Sequence, residues 1–344
     1  MTCYIYAVGL HSQGGLNILN RFLEYNNEDF VYFLDSRLKT EKKKNYIFVN
    51  SNHFMRILHF IKLRKILKPN DHILFLNGLP PILNLKCKTS VAFQNANLFR
   101  DFYKINFLKW IFSLDSIRYL NFKIYSKFVD NWYIFSPRAE EILKKKLKKY
   151  INIKIVNIYE NIKMPEFNTS ENQEIIKFDF IYPASLMEHK NHRLLINILI
   201  ELSKDNIFPR VLITLDKESL LKINYEEIVN RHKLKLYNNY EKNHKKFLEL
   251  YKQSKCLLYL SENETIGLPI LEAYSQGLIT IAPNLPYSSQ FIEPDYVFDL
   301  KSKTDLKKLI VKILHKKIEK KNNFKPFKFL NNSISFDQFI SKVL

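Results

Sequence analysis

The sequence predicts an α/β fold built from two doubly wound, Rossmann-like domains. Short apolar or β-branched runs alternate with longer amphipathic segments along the chain. This alternation is typical of a parallel sheet that is covered by helices on both faces. A polar, proline-containing stretch at residues 159–175 interrupts the alternation, which then begins again. The length of 344 residues suffices for two domains that each bury a core.

The first domain is predicted to span residues 1–163. Its buried strands are, in chain order, "CYIYAVG", "DFVYFLD", "NYIFVN", "DHILFLNG", "SVAFQN", "NWYIFS" and "NIKIVNI". Between them, the runs "LNILNRFLEY", "HFMRILHFIKLRKILK" and "RAEEILKKKLKK" have the apolar spacing of helices.

The second domain is predicted to span residues 164–325 and repeats the same alternation. Its strands are "KFDFIYPA", "RVLITLD", "KLKLYN", "CLLYLS" and "LITIAP", and its helices are "HKNHRLLINILIELSK", "EKNHKKFLELYKQ" and "PILEAYSQ". Residues 326–344 form a closing segment that is expected to return to the first domain.

The formal net charge of +20 is unevenly distributed. Residues 1–165 contain 27 Lys and Arg against 12 Asp and Glu, whereas the rest of the chain contains 27 against 22. In the stretch from residue 101 to residue 128 the cations are interleaved with aromatic side chains, which suits either an anionic membrane surface or stacked nucleic-acid bases. Charge alone does not separate these partners from a set of solvated helix faces.

The cysteine pattern and the N-terminus indicate a cytoplasmic protein. Cys3, Cys87 and Cys256 are too far apart for a zinc motif and lie in or beside apolar runs, so we expect reduced, buried thiols. No apolar run reaches the roughly 18 residues of a membrane-spanning helix, and the first residues lack the features of a signal peptide.

Glycine is rare in this chain, so its positions are informative. There are only six glycines: Gly9, Gly14, Gly15, Gly78, Gly267 and Gly277. The first five follow predicted strands, at the sheet edge where open α/β sheets bind ligands. Gly277 lies where a helix needs a left-handed C-terminal residue. A purely structural use in tight turns stays open.

The segment "SENETIGLPILEAYSQG", residues 261–277, combines these features with two glutamates. A helix is predicted to begin near Pro269, with Glu272 in its first turn and Glu264 in the loop before it. Both carboxylates could merely stabilise the helix N-terminus. A carboxylate also accepts two hydrogen bonds from a vicinal diol, and the N–H groups from Ile266 to Leu268 would face an anion at the helix start.

The Glu264 and Glu272 pattern around Gly-Leu-Pro resembles the signature of the retaining GT-B glycosyltransferases of family 4, which build bacterial surface polysaccharides. The stretch "FDFIYPASLMEHKNHRLLI" is similar to the strand, loop and Lys-bearing helix of their second domain, and "SQGGLNILNRFL" resembles their first Gly-Gly loop. The resemblance implies a GT-B fold, in which two domains face a central cleft.

The resemblance also implies roles for matching residues. Glu264 would contact the donor sugar, Glu272 would hold the nucleotide ribose, and Lys190 would neutralise the diphosphate as the glycosidic bond breaks. Gly14 and Gly15 would let backbone amides approach the same diphosphate.

The resemblance further implies that no metal or other cofactor is needed. His189 and His192 have helical i, i+3 spacing, but a metal site would need a third ligand.

The chain departs from the family pattern at two places. Ser185 stands where members commonly have an Arg, and Arg193 is our candidate for the missing charge on the same helical face as Lys190. The histidine of the family's first domain has no clear match, and His11 and Asn95 are the candidates.

The resemblance therefore implies a glycosyltransferase. It would move a sugar from a nucleotide-diphosphate donor to a glycan or lipid-linked glycan with retention of configuration. The reaction would belong to O-antigen, lipooligosaccharide or capsule synthesis. The basic first domain would rest on the anionic inner face of the cytoplasmic membrane, and nucleic acid would not be a partner. The alternatives are a nucleotide-sugar epimerase on the same fold and a basic nucleic-acid-binding protein.

Overall fold

The structure is a computed structural model that describes residues 1–10, 15–25, 29–94, 114–147, 151–158, 176–241, 243–315 and 333–343. The chain divides into two compact units. The first unit joins residues 1–160 with residues 328–344, and the second unit comprises residues 161–327.

The first unit is organised around a parallel sheet of seven strands. The strands are β1 (Cys3–Ala7), β2 (Phe30–Asp35), β3 (Tyr46–Val49), β4 (His72–Phe75), β5 (Lys88–Phe93), β6 (Asn131–Ile134) and β7 (Ile153–Ile155). Their order in the sheet is β3-β2-β1-β4-β5-β6-β7. The central strands are almost wholly buried, because helices cover both faces of such a sheet.

The described helices of the first unit lie between these strands and after them. They are α1 (Gly15–Glu24), α2 (His53–Ile66), α3 (Leu114–Tyr125), α4 (Pro137–Leu147) and, near the end of the chain, α11 (Phe336–Val343). Phe336 and Phe339 of α11 pack edge to face against Phe22 of α1. The C-terminal helix is therefore part of the core of the first unit.

The second unit contains a parallel sheet of six strands. The strands are β8 (Phe178–Tyr182), β9 (Val211–Ile213), β10 (Leu236–Asn238), β11 (Ser254–Leu258), β12 (Ile279–Pro283) and β13 (Tyr296–Phe298), in the order β10-β9-β8-β11-β12-β13. The described helices are α5 (His192–Lys204), α6 (Lys217–Lys222), α7 (Tyr225–His232), α8 (His244–Lys252), α9 (Leu268–Ser275) and α10 (Lys303–His315).

The strand order creates a switch point in each sheet. In the second sheet, the chain runs outward from β8 through β9 and β10, and it returns to β11 on the other side of β8. The loops that follow β8 and β11 therefore leave the same edge in opposite directions. This crevice is where open α/β sheets bind ligands.

Gly277 occupies a position whose backbone conformation favours glycine. Gly277 has φ +79° and follows α9, and the next N–H, that of Leu278, bonds back to the carbonyl of Ala273. This is the left-handed helix end that the sequence predicts. Trp132 is fully buried. Of the three cysteines expected to be buried, Cys3 and Cys256 are buried and Cys87 is half-buried.

Candidate functional site

Lys190 and Glu264 come together at the switch point of the second sheet. Lys190 follows β8 and Glu264 follows β11, and these two strands are neighbours in parallel register. The Lys190 ammonium forms an ion pair with Glu264 Oε1. Both side chains are about one-seventh exposed, at 14% and 16%, so water reaches the pair without surrounding it.

Tyr259 completes this pair. Its hydroxyl lies 2.8 Å from Glu264 Oε1 and 3.1 Å from Lys190 Nζ. Because the carboxylate can only accept, the hydroxyl donates to Glu264 and accepts from Lys190. Burial raises the pKa of Tyr259 well above its usual value, and the nearby Glu264 carboxylate adds to this shift. Tyr259 therefore stays protonated and orients the carboxylate.

The loop that carries Lys190 has a different structure from the one predicted. Lys190 ends a short 3-10 turn, Glu188–Lys190, and α5 begins only at His192. Asn191 lies between them with a left-handed backbone, φ +57°. Arg193 is exposed in the first turn of α5. The prediction that Arg193 and Lys190 share a helical face is therefore wrong, because the left-handed residue breaks the helical register.

Hydrogen bonds join the two loops. Asn191 Nδ2 donates to the carbonyl of Leu260 at 3.0 Å, and the N–H of Glu262 donates to the carbonyl of His189 at 2.8 Å. Asn191 tolerates the left-handed conformation better than most residues. This backbone geometry fixes the distance between the Lys190 loop and the Glu264 loop.

The loop that carries Glu264 also accepts hydrogen bonds from the loop that follows β12. Gln290 Nε2 donates to the carbonyls of Thr265 and Ile266, each at 2.9 Å. Gly267 has φ +76°, and a Cβ at this position would lie 3.2 Å from Cδ2 of Tyr287. Glycine is therefore required both by the backbone and by the close approach of the Tyr287 ring.

Helix α9 starts directly after Gly267. It begins at Leu268, and Pro269 stands at its second position, one residue from the predicted start. Among the described residues, the N–H groups of Gly267 and Leu268 have no hydrogen-bond acceptor. Unpaired amides at a helix N-terminus form a binding site for an anion.

Glu272 lies in the second turn of α9, so its predicted place in the first turn is wrong. The helix begins at Leu268, and the first turn ends before Glu272. Both carboxylate oxygens are paired: Oε1 lies 3.1 Å from His244 Nε2, and Oε2 accepts from the Tyr251 hydroxyl at 2.8 Å. The hydrogen bond to Glu272 raises the pKa of His244, and burial raises the pKa of Tyr251.

Three partner residues of the glutamates were absent from the predicted site: Tyr259, His244 and Tyr251. Tyr259 has a usable signal, because it follows β11 at the ligand-binding edge of the sheet. His244 and Tyr251 belong to α8, and only the tertiary packing of α8 beside α9 brings them to Glu272.

The remaining predicted site residues are more scattered. Ser185 is exposed, and its carbonyl accepts from the N–H of Met187. Gly15 is the first residue of α1. His11, Gly14 and Asn95 lie outside the described residues, as does the part of the basic aromatic stretch up to residue 113. The roles proposed for these three positions stay predictions.

The two histidines near Lys190 are part of the core. His189 and His192 are both buried, and the His192 ring packs 5.0 Å from the Tyr182 ring. Burial lowers the pKa of His192 to about 4. Within the described ranges, no group of three His, Cys, Asp or Glu side chains is arranged to hold a metal ion. The same ranges contain no helix that is both long and apolar enough to cross a membrane.

Comparison with known proteins places the site in a family context. The model of the family described as "Glycosyl transferases group 1" matches residues 165–328. A curated relative, the UDP-N-acetylglucosamine--peptide N-acetylglucosaminyltransferase GtfA subunit of Streptococcus agalactiae, is 27% identical over 169 residues. The match covers 48% of this chain and 32% of the relative, so it spans about a third of the relative's length.

Two solved structures resemble the whole chain. Sucrose-phosphate synthase from Thermosynechococcus elongatus aligns with a TM-score of 0.65 and 13% identity, over 90% of this chain and 89% of that chain. WaaG, a glycosyltransferase involved in lipopolysaccharide biosynthesis, aligns with a TM-score of 0.63 and 14% identity, over 92% and 91%. At these identities the likeness shows the fold. It confirms the predicted class, two Rossmann-like domains of the GT-B type.

Proposed function

We propose that this protein is a glycosyltransferase, because the model of the glycosyl transferases group 1 family matches residues 165–328. It takes a sugar from a nucleotide-diphosphate donor and transfers it to a hydroxyl of a glycan or lipid-linked glycan, with retention of configuration. The observation that carries the proposal is the group formed by Lys190, Tyr259 and Glu264 at the switch point of the second sheet.

The charges of this group suit a sugar diphosphate. In the free protein the Lys190 ammonium is neutralised by Glu264. A diphosphate at the start of α9 would accept hydrogen bonds from the N–H groups of Gly267 and Leu268. Its negative charge would attract the Lys190 ammonium. Lys190 then neutralises the negative charge that grows on the leaving phosphate, which is why no metal is required in this proposal.

The two glutamates bind the sugar and the ribose of the donor. Once Lys190 turns to the phosphate, the Glu264 carboxylate is free to accept hydrogen bonds from sugar hydroxyls while Tyr259 keeps it oriented. Glu272, eight residues further along, accepts from the ribose diol in exchange for its bond to the exposed His244 side chain. The name of the relative from Streptococcus agalactiae makes UDP the first nucleotide to test.

The biological setting is part of the same proposal. WaaG, which shares the fold, is named for lipopolysaccharide biosynthesis, and the first half of this chain carries most of the positive charge. We place the protein on the inner face of a bacterial cytoplasmic membrane, where it extends O-antigen, lipooligosaccharide or capsule.

The donor is identified by a thermal-shift screen with UDP, GDP, dTDP and their sugars, since a ligand raises the midpoint according to its occupancy. Sugar transfer is then measured with the stabilising donor, and the anomeric configuration of the product is read by NMR. Release of an epimerised donor without any acceptor would contradict the proposal, as would an inverted product.

Glu264→Gln tests the site itself. The amide keeps the size of the side chain but loses the charge, and we expect kcat to fall by about 100-fold or more. Glu262→Gln is the matched control, because Glu262 is an exposed glutamate of the same loop, and it should leave kcat within about twofold. Equal activity of the two variants would remove Glu264 from the mechanism. Salt-sensitive retention of RNA that survives Glu264→Gln, without sugar transfer, would favour a nucleic-acid-binding protein.

A further inference from the structure

Helix α2 of the first unit presents an apolar face to solvent. Six of its large apolar side chains are between 43% and 66% exposed: Phe54, Met55, Ile57, Leu58, Ile61 and Ile66. Scattered exposed apolar residues are normal, but a contiguous group on one helix marks a surface that binds something. We refer to these six residues as the outward face of α2.

The opposite side of α2 already belongs to the core. Phe60 and Leu63 are buried with the residues of the first sheet, and the Phe60 ring packs 5.5 Å from that of Tyr6. The core therefore accounts for only one side of the helix. An apolar helix face that points away from the core is normally covered, and no part of the first unit that the structure describes covers the outward face.

The charges on this helix have a single sign. Lys62, Arg64 and Lys65 are exposed among the apolar residues of the outward face. No Asp or Glu occurs between Glu41 and Asp71. The cover for this face must therefore offer both apolar groups and negative charge.

We propose that the outward face of α2 binds an anionic lipid bilayer, with the helix lying in the plane of the interface. The apolar side chains enter the boundary of the acyl chains, and the long Lys and Arg side chains extend to the lipid phosphates. A second copy of the chain fits worse, because a two-fold interface would oppose the same cations. Helix α2 is thus the membrane-binding element of the proposed glycosyltransferase. The proposal rests on that function only because the function places a lipid-linked acceptor at the membrane.

The test is sedimentation of the full chain with vesicles. Phosphatidylcholine vesicles that contain phosphatidylglycerol should bind the protein at low salt, and vesicles of phosphatidylcholine alone should bind it far more weakly. The variant Phe54→Ser/Leu58→Ser/Ile61→Ser removes apolar residues, and the variant Lys62→Gln/Arg64→Gln/Lys65→Gln removes charge. Each should weaken binding to the anionic vesicles by at least about tenfold.

Matched controls distinguish vesicle binding through α2 from binding through exposed apolar or charged residues elsewhere on the surface. Ile176→Ser/Leu221→Ser/Val297→Ser removes three exposed apolar residues of the second unit. Lys144→Gln/Lys145→Gln/Lys146→Gln removes three cations of α4. Both controls should bind vesicles within about threefold of the unchanged protein, since neither alters α2.

The outcomes are distinct from those of the enzyme assay. The inference is overturned if the unchanged protein ignores anionic vesicles, or if the α2 variants bind them like the controls while retaining a cooperative thermal transition. Concentration-dependent dimerisation that the α2 variants abolish, without vesicle binding, would also overturn it. Nucleotide binding by the α2 variants should be unchanged, so a failure of the glycosyltransferase proposal would leave this result standing.

Discussion

Tyr259 is the residue whose role follows most directly from geometry. Its buried hydroxyl bridges Lys190 Nζ and Glu264 Oε1, so the orientation of the carboxylate depends on one proton donor. Tyr259→Phe removes the hydroxyl and leaves the charges of both partners. We expect kcat to fall by about tenfold or more, with KM for the donor within about twofold, because orientation is lost but binding groups remain.

Tyr182→Phe is the matched control for this prediction. The Tyr182 ring lies 6.3 Å from that of Tyr259, and within the described structure the buried Tyr182 hydroxyl has no hydrogen-bond partner. Its removal should leave kcat unchanged and should not destabilise the protein. A similar loss of kcat in the two variants would show that packing of the rings, rather than the Tyr259 hydrogen bond, affects catalysis.

At this scale the sequence reveals charged residues better than their neutral partners. Glu264, Lys190 and Gly267 are predicted from a local pattern, and the structure brings the first two into contact. Their partner Tyr259 lies inside the predicted strand "CLLYLS", and only its place at the carboxyl end of that strand distinguishes it from other buried aromatic residues. The prediction that Lys190 and Arg193 share a helical face is wrong because Asn191, between them, adopts a left-handed conformation. The spacing of residues in the sequence does not show that the helix is interrupted there.

At the scale of elements, the start of α9 depends on a single glycine. Gly267→Ala must keep a left-handed backbone, at a cost of about 1–2 kcal/mol, and its Cβ must also displace the Tyr287 ring. We expect a larger loss in the free energy of unfolding than the backbone alone explains, together with weaker nucleotide binding. Urea unfolding and isothermal titration with the identified nucleotide measure the two effects.

Gly277→Ala provides the comparison at the other end of the same helix. Gly277 also has a positive φ, +79°, but nothing lies within 4 Å of its missing Cβ. This variant should lose only the backbone contribution, about 1–2 kcal/mol, and should bind nucleotide normally. Equal effects of the two substitutions would mean that contact with Tyr287 is unimportant.

The described elements show where sequence patterns succeed. Buried parallel strands read as continuous apolar runs, and all seven strands of the first sheet were predicted. Strand β13 and the helices α3, α6, α7 and α10 were not predicted. Of these, β13, α6 and α7 have only three to eight residues, which give too little periodicity. The C-terminal helix α11 was expected only as a returning segment, since its partners lie more than 190 residues away in sequence.

At the scale of the whole molecule, the first unit is closed by its C-terminal helix. His72 of β4 has its Nδ1 at 2.9 Å from the carbonyl of Val343 and its Nε2 at 2.8 Å from Ser90 Oγ. A carbonyl only accepts, so Nδ1 carries the proton and Nε2 accepts from the serine. This arrangement satisfies a neutral imidazole completely.

Both units therefore contain a buried histidine that resists protonation. Burial lowers the pKa of His72 to about 4, and it lowers the pKa of His192 in the second unit to about 4. The unfolded chain takes up protons at its ordinary histidine pKa of about 6.5. Above pH 6.5 these histidines do not lower the free energy of unfolding. As the pH falls from 6.5 toward 4 they lower it progressively, because the unfolded state binds more protons than the folded state in that window.

We expect each histidine to reduce the free energy of unfolding by about 1.4 kcal/mol per pH unit between roughly pH 6 and 4.5. Urea unfolding curves at several pH values measure the slope. His72→Gln keeps a donor and an acceptor but does not titrate, so it should lower the slope without abolishing the fold. His315→Gln is the control, because it removes the imidazole of an exposed histidine at the end of α10 and leaves the buried histidines unaltered, so it should leave the slope unchanged. A wild-type stability that is flat from pH 7 to pH 4.5 would show that these imidazoles are not held neutral, and that the C-terminal helix does not depend on the protonation state of His72.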